Sequence, residues 1–505
     1  DMARKLYCEG LINPVGIDKE NEQRTQDDAE KLAEIYENYN IEQQESVHQI
    51  LREQFQMNDA LYILSFLAKY LNLDAFWEDI IWHVCRENKD CFLGSMVEAQ
   101  LEIYGTAPYK QKRMLHRNNV RNFMQTLNLP DDRIAEQERN KKRIVIVTEQ
   151  LLSIMHAPTL ITLEFAYILQ EKMNYEVCII TCPLDYHLPF DLWVDPRYYY
   201  GGFEGVRDIP YKGVKIRNIG CSMEDGSLER CSRMLHMIAA WKPWLVLELG
   251  VTNPLADLCR EFTTTVAMAM TTECPVSEAD ILIRYVPGTG AYEEACKREL
   301  LPYQKQIFMQ EKLPVIAQEA EKECVPDELG LPEGKFFVAV VGNRLDLEID
   351  EAFLNIMKQI MDAAENVDFA VIGDAEKLQE KLAGTSYGKR IHFLGYCMDL
   401  PGTYRALHLY LNPRRLGGGW SSAMALMAGL PVVTLPACDV AYNVGGEFTV
   451  TTEEEMVDAV IRYASDDVFY AQKKQIAIEK GRDGGEQKML EYVTSLFTRI
   501  QENVE

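Results

Sequence analysis

The strongest constraint on this chain is a repeated alternation of short β-branched apolar runs with helical stretches. Arg143-Ile-Val-Ile-Val-Thr148 has few polar breaks, the mark of a strand buried on both faces. A loop, Glu149 to Pro158, leads into a helical stretch, Thr159 to Met173, and then a second apolar run, Tyr175 to Thr181. Strand, loop, helix and strand at this spacing form a βαβ unit. Further runs at 244–248, 265–269 and 281–285 extend it into one parallel-sheet domain. After the Pro- and Gly-punctuated stretch 325–334 the alternation resumes. Phe336–Val341, Val367–Gly373, Ile391–Gly395, His408–Asn412 and Pro431–Thr434 read as strands, and helices from about Glu453 to Glu502 close the chain.

The first part of the chain reads differently. Leu61, Phe66, Leu67, Tyr70 and Leu71 recur at helical spacing, as do Phe76, Ile80, Ile81 and Val84, and the first 129 residues hold only Pro14 and Pro108. The expected class is therefore α/β, with two Rossmann-like domains in tandem behind an all-helical one. The expected boundaries are 1–140, 141–320 and 321–505. A basic stripe at Arg113, Arg117 and Arg121 follows one helix face. It fits an acidic partner, a solvated face, or docking onto this protein's own acidic surface.

Lys and Arg number 52 against 78 Asp and Glu, a net charge of −26. That field repels phosphate backbones and anionic lipid, so nucleic-acid polymers are not expected partners. A local basic pocket is still possible on such a surface. The thirteen cysteines form no C-x-x-C, and several lie in apolar runs, as reduced core thiols of a cytoplasmic protein would. No apolar stretch is long enough for a membrane span, and no signal peptide is recognisable.

Ligands of open parallel sheets sit beyond the carboxyl ends of the strands. The richest loop there is Asn412-Pro-Arg-Arg-Leu-Gly-Gly-Gly-Trp-Ser-Ser422, which runs through three glycines into a helix. Gly418 and Gly419 let the backbone approach an anion, Trp420 follows, and Ser421 and Ser422 can cap the helix while presenting N–H groups to phosphate. A flexible Gly hinge is the plainer alternative. Asn343 and Arg344 end the first strand of the same domain, where an arginine can neutralise a diphosphate leaving group; a solvated strand-end arginine fits the local pattern equally. Arg414 and Arg415 add positive charge beside the glycines. Gly395 and Tyr396 follow a third strand and suit a wall against a base. His156, in the loop after Thr148, is placed to meet an acceptor as general base across an interdomain cleft, or to serve as a hydrogen-bonding loop residue. Asp346 and Glu348 form a weak candidate metal pair, and Tyr198-Tyr-Tyr-Gly-Gly202 an acceptor loop or an aromatic packing segment.

Two stretches carry a family resemblance. His156-Ala-Pro-Thr159 with its helix and following strand is similar to the acceptor-side βαβ of GT-B glycosyltransferases. Arg390-Ile-His-Phe-Leu-Gly395, Tyr404, Leu411-Asn-Pro413 and the glycines through Ala428-Gly-Leu-Pro-Val-Val433 resemble their donor-side domain. Retaining members often carry two glutamates where this chain has Leu416 and Met424. The Gly418–Ser422 segment instead resembles the O-GlcNAc transferase family, and Asn412-Pro413 is similar to the bacterial cytoplasmic N-glycosyltransferases, which also have an all-helical front domain. The resemblance implies a GT-B fold, a UDP-sugar donor, no essential metal or other cofactor, and a protein, peptide or glycan acceptor. It implies that Gly418, Gly419, Trp420, Ser421 and Ser422 cradle the diphosphate, Arg344 supplies a leaving-group cation and His156 faces the acceptor. The missing glutamates also fit an inactive GT-B partner subunit of another transferase, and a UDP-sugar epimerase shares the fold.

Overall fold

The computed structural model describes residues 35–53, 80–81, 85, 94–95, 97–98, 108–130, 133–149, 151–152, 156–182, 205–221, 227–250, 252–270, 274–284, 290–309, 313–316, 322–397, 399–415, 417–436 and 438–504. Most of the helical spacing read between Leu61 and Val84, the Tyr198–Gly202 segment and Leu416 lie outside these residues. The chain divides into two compact units, one of 1–310 with 496–505 and one of 311–495. Among the described residues no helix is long and apolar enough to cross a membrane.

Helices α1 (Ile41–Glu53) and α2 (Tyr109–Thr126) precede the first sheet. Its strands are β1 (Asn140–Thr148), β2 (Glu176–Thr181), β3 (Gly205–Tyr211), β4 (Val214–Gly220), β5 (Pro243–Leu249), β6 (Thr264–Met268), β7 (Ile281–Arg284) and β8 (Lys305–Phe308), in the spatial order β3-β4-β2-β1-β5-β6-β7-β8. Helices α3 (Ala157–Tyr167), α4 (Ser227–Trp241), α5 (Pro254–Leu258) and α6 (Gly290–Arg298) connect them, a π-turn at Ile168–Lys172 extending α3. The period-2 pattern explains the apolar runs. Val145, Val147, Cys178, Ile180 and Val246 share one core with Val120 and Phe123 of α2 and with Leu235 and Ile238 of α4. Ile144, Ile146, Ile179, Leu245 and Leu247 alternate with them and are equally buried.

The sheet departs from the all-parallel expectation at one edge, where β3 pairs antiparallel with β4. Its two-residue turn, Lys212-Gly213, has φ values of 47° and 80°, the positive pair that a type I′ turn requires. Lys212 tolerates this conformation with its ammonium 2.7 Å from Glu164 of α3, whose buried carboxylate also accepts a 2.6 Å hydrogen bond from the Tyr211 hydroxyl.

The arginine stripe docks onto the protein itself. Arg113 is 1% exposed and donates to the Ser277 carbonyl and, at 3.0 Å, to Gln304 Oε1, with Glu278 at 3.4 Å. Arg117 Nε donates to the same Glu278 carboxylate at 3.0 Å, whereas Arg121 is exposed. One turn along α2, fully buried His116 lies between Glu98 and Asp257, with Thr252 Oγ1 2.7 Å from its Nδ1. Burial alone would lower its pKa, but the two carboxylates hold it well above the ordinary value.

The second sheet contains β9 (Phe336–Gly342), β10 (Val367–Gly373), β11 (Ile391–Gly395), β12 (Leu409–Leu411) and β13 (Val432–Val433), all parallel, in the order β11-β10-β9-β12-β13. Helices α7 (Leu345–Glu348), α8 (Glu351–Ala363), α9 (Glu376–Leu382), α10 (Leu400–Tyr404), α11 (Gly419–Met427), α12 (Asp439–Val444), α13 (Glu453–Ser465) and α14 (Asp467–Gly481) connect and close it. Alternation again sorts the faces. Val338, Val340, Phe369 and Val371 join the α8 and α13 core, while Phe337, Ala339, Ala370 and Tyr410 join that of α11. A last helix, α15 (Glu486–Val504), starts in the second unit, and its residues from Leu496 belong to the first, where Gln501 donates to the Tyr175 hydroxyl at 2.9 Å.

Arg113→Ala leaves Glu278, Gln304 and a carbonyl without their buried cation, so it should cost about 3–5 kcal/mol. Arg121→Ala, on the same stripe but exposed, should change stability by less than about 0.5 kcal/mol. Denaturant unfolding of the two variants checks this; equal effects would contradict the docked arrangement of α2.

Candidate active site

The second sheet has a switch point between β9 and β12. From β9 the chain steps outward through β10 to β11, then returns to the other side of β9 for β12 and β13. Loops leaving two such strands diverge and open a crevice at their carboxyl ends. Here they are the loop at Asn343 and Arg344 and the one from Asn412 to Gly418.

The second loop is shaped by Arg415, whose side chain is only 7% exposed. Its guanidinium donates to Asn412 Oδ1 at 2.9 Å, the Val341 carbonyl at 2.7 Å, the Tyr410 hydroxyl at 2.8 Å and the Glu348 carboxylate. It thus ties the end of β9 to the end of β12. Burial lowers the pKa of Arg415, but Tyr410 and Glu348 more than offset this and keep it charged. A guanidinium spent on four internal acceptors braces the loop, so the charge expected from Arg415 beside the glycines is engaged within the protein. Arg414 is 77% exposed and pairs with Glu453.

The helix start also differs from expectation. Gly418, at φ 94°, is the N-cap of α11, with no side-chain cap. The Ser421 and Ser422 hydroxyls donate to the Gly418 and Gly419 carbonyls at 3.0 and 2.9 Å. Hydroxyls inside the first turn cannot cap it from Ncap, which corrects that part of the reading. The first intrahelical bond is Ser422 N–H to the Gly418 carbonyl, so the N–H groups of Gly419, Trp420 and Ser421 precede the ladder at the positive end of the helix. Two buried tyrosines fix this turn: Tyr404 donates to the Ser421 carbonyl, and the Tyr410 and Ser421 hydroxyls bond, each at 3.0 Å. Asn443 holds the Gly419 carbonyl at 2.7 Å. Trp420 packs against the core that contains Tyr404, Tyr410 and Met424.

Asn343 and Arg344 are exposed at the end of β9, and Arg344 Nη2 lies 3.4 Å from Glu348 Oε1. Gly395, at φ 66°, ends β11, and Tyr396 beyond it is 57% exposed. This pair sits on the same sheet end, two strands, or roughly 10 Å, from β9. Asp346 accepts from the N–H groups of Lys377 and Leu378 at 3.1 and 2.8 Å, fastening α9, and Glu348 is taken by arginine. The suggested acidic metal pair is therefore otherwise engaged, and among the described residues no group of three or more His, Cys, Asp or Glu is arranged to hold a metal ion. The sequence reading missed the structural parts of Asn412, Tyr410 and Glu348. Only the position of Arg415 beside the glycines hinted at the brace.

In the first unit the switch point lies between β1 and β5. His156 is the N-cap of α3 in the loop after β1, with Nδ1 3.0 Å from Thr159 Oγ1. Burial pushes its pKa down to about 4, so the imidazole is neutral at physiological pH. Glu248, 1% exposed near the end of β5, has its pKa raised well above the carboxylate range by burial and by Asp257. The Ser277 hydroxyl and the Asn253 N–H lie near it, yet neither makes a hydrogen bond of proper geometry with the carboxyl.

Two outcomes follow from these geometries. An alanine Cβ at Gly418 would lie 2.8 Å from the Arg415 guanidinium as well as straining the backbone, so Gly418→Ala should cost about 1–3 kcal/mol by thermal unfolding. In an NMR titration His156 should stay neutral until about pH 4. An unfolded imidazole titrates near 6.5, so its stabilising effect is complete above that pH and is lost as the pH falls toward 4. A midpoint near 6.5 in the folded protein would contradict the buried environment.

Residues 337–466 match the family described as glycosyl transferases group 1. No curated protein matches the sequence. Among solved structures, a mutant of the Thermobaculum terrenum O-GlcNAc transferase is similar with a TM-score of 0.57 at 15% identity, over 91% of this chain and 94% of that one. An Anabaena protein in complex with UDP and glucose has a TM-score of 0.49 at 12% identity, over 71% of this chain and 99% of that one. A pneumococcal O-GlcNAc transferase in complex with UDP and GlcNAc has a TM-score of 0.48 at 9% identity, over 72% and 99%. The chain has the GT-B fold, and within its second unit residues 337–466 match the glycosyl transferases group 1.

Proposed function

We propose that the chain is a glycosyltransferase that moves a sugar from a UDP-sugar onto a protein, peptide or glycan acceptor. One observation carries this reading: an exposed arginine and a glycine-opened helix N-terminus flank the same switch-point crevice. The glycosyl transferases group 1 match over that unit supports the reaction class. The donor class rests on the resemblance of Gly418–Ser422 to the O-GlcNAc transferase family, and the Thermobaculum neighbour bears that name.

In the reaction the bond between the anomeric carbon and the diphosphate oxygen breaks, and its electron pair leaves with the diphosphate. Arg344 and the N–H groups of Gly419, Trp420 and Ser421 offset the charge that develops there. The acceptor oxygen or nitrogen forms the new bond to the anomeric carbon and gives up its proton. Neutral His156 is the group proposed to orient that atom or to take the proton. Tyr396 offers an exposed ring for the base, and Asn343 a polar contact beside Arg344. No cofactor or metal enters this scheme. The proposed compartment is the cytoplasm, which suits a chain whose described cysteines are all free.

Calorimetric titration with UDP and UDP-sugars tests the reading. Binding below millimolar concentration is expected, and Arg344→Ala should weaken it about 10- to 100-fold, the worth of a charge-assisted hydrogen bond. No binding of any of these nucleotides at millimolar concentration would contradict it and favour a non-catalytic partner role.

A further inference from the structure

Glu348 faces two arginines that are held in different ways. Arg415 is nearly buried and shares its guanidinium among Glu348, the Val341 carbonyl, Tyr410 and Asn412. It has no freedom to leave. Arg344 is 49% exposed and meets the other carboxylate oxygen, Oε1, at 3.4 Å. Long, exposed ion pairs of this kind are weak. Gly342 makes the arrangement possible, because a Cβ there would come within 2.5 Å of Arg415 Nη1 and 2.8 Å of Glu348 Oε2.

The charges settle which contact yields. Arg415 already neutralises Glu348, so Arg344 is the surplus cation of the three groups. A diphosphate presents more negative charge, and several oxygens that fit the guanidinium fork. We propose that Glu348 is a positioning residue that holds Arg344 at the crevice between donors and gives it up to the incoming diphosphate. This rests on the donor reading given above. Glu348 therefore competes with the donor for Arg344, and its charge sets donor affinity lower than the crevice would otherwise reach. A carboxylate that served only to brace the loop would have the opposite signature, since its loss would weaken binding.

The test is a double-mutant cycle read by calorimetry with UDP, with uridine as the ligand that lacks phosphate. Glu348→Gln keeps an acceptor for Arg415 and removes the charge that attracts Arg344. It should tighten UDP binding about threefold and leave uridine binding unchanged. In the Arg344→Ala background the same substitution should have no effect. Should the Gln variant fail to fold by circular dichroism, Glu348→Asp serves instead. It keeps a charge for Arg415, draws it back from Arg344, and should shift UDP affinity in the same direction. Weaker or unchanged UDP binding in a folded variant overturns the proposal, as does an equal gain without Arg344. Failure of the wild-type chain to bind UDP at all overturns the donor reading itself and this inference with it.

Discussion

The buried guanidinium of Arg415 is the interaction on which the candidate site depends. Parallel strands that diverge at a switch point leave two loops with no ladder to join them, and each must be held by something else. One planar group with five donors does this, reaching the Val341 carbonyl near the end of β9, the Asn412 amide, the Tyr410 hydroxyl and the Glu348 carboxylate. Tyr410 passes the restraint to Ser421, and so to the first turn of α11. The glycines are explained from the same centre. Gly342 and Gly418 are the places where a Cβ would strike this guanidinium, so they give it room as well as opening the backbone.

The first unit solves its own attachment problem with the same chemistry at a different place. Helix α2 carries Arg113 and His116 into buried acceptors at 252, 257, 277 and 304, joining it to the segments that flank β5, β7 and β8. Two carboxylates raise the pKa of His116 well above its ordinary value, while burial and one of those carboxylates raise that of nearby Glu248 well above the carboxylate range. His156, by contrast, is neutral because burial lowers its pKa and, among the described residues, no carboxylate offsets it. Three titratable groups in one unit are therefore shifted in directions that follow from their neighbours and depth, not from their residue type.

Much of the fold was legible in the sequence because parallel strands buried on both faces write themselves as apolar runs. The strands beginning near Arg143, Trp244, Phe336 and Val367 all lie within a few residues of where those runs suggested. The hairpin at 205–220 was not read, since its outer strand is an exposed edge with weak alternation and its turn places a lysine at positive φ. Of the site, the glycines, the helix start and Arg344 were visible as a motif. The division of labour between Arg344 and Arg415 was not, because local sequence says nothing about which of two arginines finds four buried acceptors. The serine hydroxyls were misread for a similar reason: whether they cap or bond back to a carbonyl depends on which residue takes the N-cap, and Gly418 does.

The central claim is that the loop after β9 and the first turn of α11 form one anion site. Hydrogen–deuterium exchange with and without UDP measures this most directly. The account predicts slower exchange on UDP addition at Asn343–Leu345 and Gly418–Ser422 together. Protection of only one of these segments, or protection confined to other parts of the chain, would contradict it.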